Sequence, residues 1–206
     1  MDDPVRLAAD ELSLMADEKF FVAKAAITKK LRTLLEALHR GLKSELDGVT
    51  LLTPDGFDLS KGQFVKGEHL EAFPYQYLDF PKHFDGDVKF TFRSLVWWGH
   101  HVVFALLLEG GRLARYKQHL IDRYGIIADP QLCLCLSPSL WEWKQGEGYT
   151  LPLTRDRRPE VSAVLAGRSL LKLARFVPFS DAAFREGRLV EIGRATLRSL
   201  LPVITP

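Results

Sequence analysis

Apolar residues recur at three- and four-residue steps through Ile27, Leu31, Leu34, Leu38 and Leu42, with Phe20 and Phe21 leading in. Lysines and arginines occupy the positions between them. That spacing predicts one long amphipathic helix over residues 16–46, with Asp17 as its cap and Asp47-Gly48 as its end. A helix with one apolar stripe has to pack on something. Residues 1–15 before it read as a tail.

After a loop marked by Thr53-Pro54-Asp55-Gly56, the period changes from helical to alternating. A short strand is expected at 63–65. Residues 73–80 set Tyr75, Tyr77 and Asp79 against Gln76, Leu78 and Phe80, and Pro81 is expected to break that strand. Residues 88–98 put Val88, Phe90, Phe92, Ser94, Val96 and Trp98 on one face, and Lys89, Thr91, Arg93, Leu95 and Trp97 on the other. Gly99 then turns the chain into a return arm at 101–108. The upper half of the first arm and the whole return arm are apolar on both sides, as in central strands covered on both faces.

Glu109-Gly110-Gly111 leads into a second helix at 112–124, striped by Leu113, Tyr116 and Leu120. Strands are expected at 132–136 and 141–144, with a further short one at 149–151. Pro159 suits the first turn of a short helix ending at Ala166. Residues 169–178 fit either strand or helix; bulky Arg175-Phe176-Val177-Pro178-Phe179 tilts the reading to strand. A last helix is expected over 181–201, capped by Ser180, weakened at Gly187 and Gly193, and stopped by Pro202. Sequential strands joined by tight turns, with helices at both ends, predict α+β. The expected object is a single domain over 16–206: a mainly antiparallel sheet covered by an N-terminal and a C-terminal helix.

A run of phrases crosses this region: Lys66-Gly67-Glu68, Phe73-Pro74-Tyr75, Leu78-Asp79-Phe80-Pro81, Phe84, Phe92-Arg93 and Trp97-Trp98-Gly99. It resembles the pattern of a family of uncharacterised bacterial proteins in which a long N-terminal helix precedes a segment of this type. The resemblance covers residues 17–108 and implies the order helix, loop, extended hairpin. It implies no activity.

Net charge is +2, without the basic excess of a general nucleic-acid binder. Charge is unevenly spread. Residues 1–18 are acidic, and the next stretch is basic, with Lys29, Lys30, Arg32, Arg40 and Lys43. Such runs read first as solvated faces, and alternatively as an adaptor surface for nucleic acid or protein. The N-terminal sequence lacks a signal-peptide pattern, and the longest apolar run, 102–108, is too short to span a bilayer. Cys133 and Cys135 form no disulfide framework, so a reducing cytoplasm is the expected compartment.

Candidate chemistry centres on Arg93. If the strands around it are neighbours, Asp79 and Arg93 can pair, and the guanidinium can stack on Trp97. The structural reading is an ion pair that fixes strand register. The functional reading is an anion-binding arginine in an aromatic-walled pocket, with Tyr75 and Trp97 as walls and Asp79, His83, His100 or His101 moving protons. Adjacent histidines on an extended chain point to opposite faces, which argues against one metal centre using both His100 and His101. Cys133 and Cys135 read as small hydrophobes on a buried strand. Trp141 and Trp143 read as core, or as a patch for a protein partner or a second copy. No Gly-x-Ser-x-Gly elbow, phosphate loop or dinucleotide fingerprint occurs, and no cofactor is implied. The leading reading is a cytoplasmic accessory or small-ligand-binding protein; the alternative is a hydrolase or transferase acting on an anionic small molecule.

Overall fold

A computed structural model describes residues 5–206; part of the expected tail, residues 1–4, lies outside the described residues. The rest of that tail is not featureless. Ala9–Met15 is a short helix (α1) with no buried residue. The long helix follows at Glu18–Glu45 (α2), where the Asp17 carboxylate accepts the Phe20 amide at 2.9 Å. Gly48, at φ +70°, lets the chain leave it.

Seven strands form one sheet. They are β1 (Gln63–Leu70), β2 (Phe73–Asp85), β3 (Val88–Trp97), β4 (His101–Glu109), β5 (Asp129–Cys135), β6 (Thr150–Leu153) and β7 (Leu170–Pro178). Their spatial order is β1-β2-β3-β4-β7-β5-β6, and every neighbouring pair is antiparallel. The α+β architecture with helices from both ends of the chain is thus observed. So is the hairpin around Gly99, whose φ of +75° suits a residue without Cβ. Of residues 169–178, all but Ser169 form strand β7, inserted between β4 and β5.

Several boundaries differ from expectation for physical reasons. β1 runs the full length of its pairing with β2 rather than three residues. Pro81 does not end β2. Two residues, Phe80 and Pro81, lie between the pairs Asp79↔Arg93 and Lys82↔Thr91, so the ladder bulges there and does not need the missing proline N–H. The Phe80–Pro81 peptide bond is cis. Residues 141–144 are not a strand: they belong to a loop over 136–149 whose ends meet through the Leu136 amide and the Tyr149 carbonyl, 2.8 Å apart. The second helix ends earlier, at Leu113–Asp122 (α3), and a short helix Tyr124–Ile127 (α4) follows. Arg158–Ala166 is α5. The last helix is two: Ala182–Arg185 (α6), capped by Asp181 rather than Ser180, and Leu189–Ile204 (α7). Gly187 at φ +69° separates them, and Pro202 sits within α7.

The sheet has two unlike faces. On one, Leu78, Phe80, Phe90, Phe92, Phe104, Leu106, Leu171 and Leu173 meet Leu35, Leu38 and Leu42 of α2 and Leu197 and Leu200 of α7. Gly193 brings α7 close: a Cβ there would come within 2.8 Å of Leu38 and Phe104. Glu45 joins the two helices, accepting from Arg194 and Arg198. On the other face, among the described residues, no helix packs on the centre of the sheet. Leu140 and Trp143 from the 136–149 loop cover Leu95, Trp97, Val103, Ala105, Leu107 and Ala174 there.

Candidate functional site

The site lies on this loop-covered face. Alternation in β2 and β3 puts Asp79 and Arg93 on it, in direct register. Arg93 Nε donates to Asp79 Oδ1 and Nη2 to Oδ2, each at 2.7 Å. Asp79 is fully buried and Arg93 is 5% exposed. This fork-to-fork pair is the strongest form of the arginine–carboxylate contact. The carboxylate engages only Nε and Nη2, so the donors on Nη1 are not taken up by it.

Aromatic rings surround the guanidinium. Its carbon lies 3.9 Å from the Tyr77 ring centre, 4.8 Å from Trp141 and 5.6 Å from Trp143, all within cation–π range. Beside it opens a groove of about 400 Å³ lined by Gln63, Leu70, Tyr75, Tyr77, Phe84, Arg93, Leu95, Trp141 and Trp143. Tyr75 and Tyr77 stand nearly parallel, 8° apart. Phe84 meets Trp141 edge to face at 6.0 Å. Burial raises the Tyr77 phenol above its usual range.

The tryptophan loop is held from below by a lysine. Lys172, in the centre of β7, is fully buried. Its ammonium donates to the Leu140 carbonyl at 3.0 Å and to the Glu142 carbonyl, and sits 3.5 Å from the Trp143 ring centre. Burial lowers its pKa to about 8. Cys135 lies in the same layer, and burial pushes its thiol up to about 12. Neither cysteine is bonded to the other.

Of the sequence-predicted residues, Arg93, Asp79 and Tyr75 come together at this groove. Trp97 does not stack on Arg93. It stacks on His100 at 3.7 Å and donates from Nε1 to the Leu70 carbonyl. His101 Nε2 lies 3.0 Å from the Trp143 carbonyl oxygen, and burial lowers its pKa. That contact fixes the loop and does not reach Arg93. His83 is on the opposite face, because the bulge in β2 inverts the alternation: His83 pairs with Phe90, and Lys82 and Phe84 move to the Arg93 side. His83 lines a separate polar depression with Asp55, Lys61, Lys82 and Asp85. Among the described residues, no three His, Cys, Asp or Glu side chains gather closely enough to hold a metal.

Trp141 and Trp143 join the site rather than a strand face; Trp143 is buried and Trp141 is 45% exposed. Tyr77, Phe84 and Lys172 were missed as site residues. Lys172 had a legible signal, a lone charge inside the apolar run Leu170-Leu171-Lys172-Leu173-Ala174. On the basic face of α2, Arg32 is occupied by Glu36 at 2.6 Å and by the Phe64 ring at 3.9 Å.

No protein-family model matches the chain, and no curated protein matches it. Among solved structures, a conserved hypothetical protein from Pyrococcus furiosus aligns at 13% identity over 84% of this chain and 99% of that one, with a TM-score of 0.31. The functional reading therefore rests on the groove itself. No helix among the described residues is long and apolar enough to cross a membrane.

Proposed function

We propose that this protein is a small-ligand-binding protein whose site is the aromatic groove beside Arg93, and that it takes a planar ligand carrying a carboxylate or similar anionic group. One observation carries the reading: a guanidinium pre-oriented by Asp79 lies 3.9 Å from Tyr77 and 4.8 Å from Trp141 at an open groove of about 400 Å³. That volume suits a small flat molecule. Tyr77 and Trp141 supply faces for stacking, and Arg93 Nη1 supplies donors for an acceptor group. Because Asp79 neutralises most of the charge on Arg93, the attraction for an anion is modest and local, made through the donors on Nη1. Ring stacking accordingly provides most of the affinity, and the anion provides orientation.

The groove lining contains no histidine, cysteine or carboxylate among the described residues. That favours binding over proton-transfer chemistry as the reading of this site. The two buried, unbridged thiols support a reducing, cytoplasmic compartment. The aromatic phrases from Lys66 to Gly99 support a bacterial family assignment.

Titration with 2-naphthoate and with neutral 2-naphthamide, read by tryptophan fluorescence, tests the reading. The expected result is saturable quenching, tighter for the acid, and weakened about fivefold or more by Trp141→Ala, in line with an aromatic contact worth roughly 1–3 kcal/mol. Saturable binding indifferent to both Trp141→Ala and Arg93→Lys, or none at millimolar probe, overturns it.

A further inference from the structure

The apolar stripe of α2 does not stop where the body of the protein stops. Leu35, Leu38 and Leu42 are buried, and Leu31 and Leu34 pack against the same core. Toward the N-terminus the stripe continues through Ile27 and, two turns further, Phe20, which are 44% and 53% exposed. Phe21 beside them is also exposed, and so are Leu12, Leu14 and Met15 of α1. The last charged tether before this overhang is Lys24, whose ammonium meets Glu68 of β1 at 2.6 Å. Large apolar side chains left exposed on neighbouring helical segments, with Phe20 and Phe21 in edge-to-face contact, mark a contact with another molecule.

The charges identify the occupant. Asp10, Glu11, Asp17 and Glu18 make the first part of the overhang acidic. From Lys19 to Arg32 the chain carries Lys19, Lys24, Lys29, Lys30 and Arg32 and no acidic residue. A two-fold contact needs a surface complementary to itself. Two copies of this segment laid antiparallel put acid against base at both ends; laid parallel, they put like on like. An antiparallel alignment about Lys24 brings Phe20 and Phe21 of one copy to Thr28 and Ile27 of the other, and Glu18 to Lys30. Lys24 then meets its own equivalent near the axis, where Glu68 already neutralises it. The acidic start of the overhang disfavours an anionic membrane surface as the occupant.

We propose that the α1–α2 overhang is the surface through which two copies of this chain associate as an antiparallel two-fold dimer. The proposal is independent of the ligand groove, since no residue of α1 or of the exposed half of α2 lines it.

Sedimentation equilibrium on the full chain tests it, with circular dichroism on each variant as a control for folding. A concentration-dependent dimer is expected for the wild type. Phe20→Asp should abolish it without loss of helicity, because Phe20 is exposed in the single chain. Glu18→Lys and Lys30→Glu should each raise the dissociation constant several-fold, and the two together should restore it, since swapped charges regain their complement. A monomer at several hundred micromolar overturns the proposal, as does failure of the double reversal to restore association. A chain that is monomeric in solution and co-floats with phosphatidylcholine vesicles overturns it in favour of a lipid surface.

Discussion

Asp79 and Arg93 stand directly opposite each other on β2 and β3, and the guanidinium meets both carboxylate oxygens at 2.7 Å. Asp79 is the last residue in register before β2 bulges. The pair therefore pins the strands at the point where the ladder changes step, while the far side of the guanidinium is left to the rings of Tyr77, Trp141 and Trp143. The same pair thus fixes the strands and presents the guanidinium to the groove where a ligand is proposed to bind.

Asp79→Asn leaves a buried guanidinium without its countercharge. The expected cost is about 3–5 kcal/mol, measured by urea unfolding at neutral pH. Replacing both partners by apolar residues, Asp79→Leu with Arg93→Met, should recover most of that stability while losing any preference for the acid probe. A double variant as unstable as the single one would mean that packing, rather than the uncompensated charge, sets the cost.

Much of this arrangement was legible from residue spacing, and the failures have particular causes. The stripe of α2 and the hairpin around Gly99 follow from local periodicity. So does the shared face of Asp79 and Arg93. Pro81 was expected to end its strand, yet β2 continues past it, because two residues there face Phe92 alone; that step sends His83 to the helix side and brings Phe84 to the groove. Trp141-Glu142-Trp143-Lys144 alternates like a strand, yet its shape is set by Lys172 and His101, distant in sequence. Periodicity carries no information about such bonds. Trp97 points to the expected face but is engaged by His100 and the Leu70 carbonyl.

Lys172 should give stability a distinct pH dependence. Unfolded, the amine titrates near 10.5; folded, burial brings it to about 8. Between these values the unfolded chain holds a proton that the native lysine has lost, so stability rises with pH across that window. The gain is absent below pH 8, complete above 10.5, and of order 3 kcal/mol at most. Comparing unfolding midpoints with and without Lys172→Met from pH 7 to 11, both in a Cys135→Ala background, isolates it: the Cys135 thiol, raised to about 12 and electrostatically linked to Lys172, is removed, and the opposing effect of Tyr116, raised to about 12, is common to both. A difference that stays flat through the window would contradict the burial of a titrating amine.

Gly67 on β1 lies beneath the Tyr75 ring: a Cβ there would sit 2.4 Å from ring carbons. Gly67→Ala must push the ring aside and should destabilise by about 1–3 kcal/mol. Because Tyr75 walls the groove, the same change should weaken 2-naphthoate binding. Unfolding and fluorescence titration on one sample measure both; an alanine accepted without effect on either would show that Tyr75 has room to move.

Both thiols should resist modification in the native state. Cys133 and Cys135 are each 6% exposed, and burial raises the pKa of both. Thiolate is the reacting form, so a chromogenic disulfide reagent at pH 8 is expected to label neither residue quickly, and both in urea. One fast-reacting thiol in native buffer would indicate that the 136–149 loop opens.

β7 enters the sheet between β4 and β5 although it is the last strand the chain supplies. During synthesis, β1 to β4 can zip in order as successive hairpins leave the ribosome, whereas β5 and β6 have no edge to join until residue 178 has emerged. Without β7 the sheet would be two parts, each with a bare rim open to mispairing. Their union also delivers Lys172 beneath the tryptophan loop. The tryptophan loop beside the groove thus depends on the last strand made, and a chain truncated before β7 would lack the lysine that holds it.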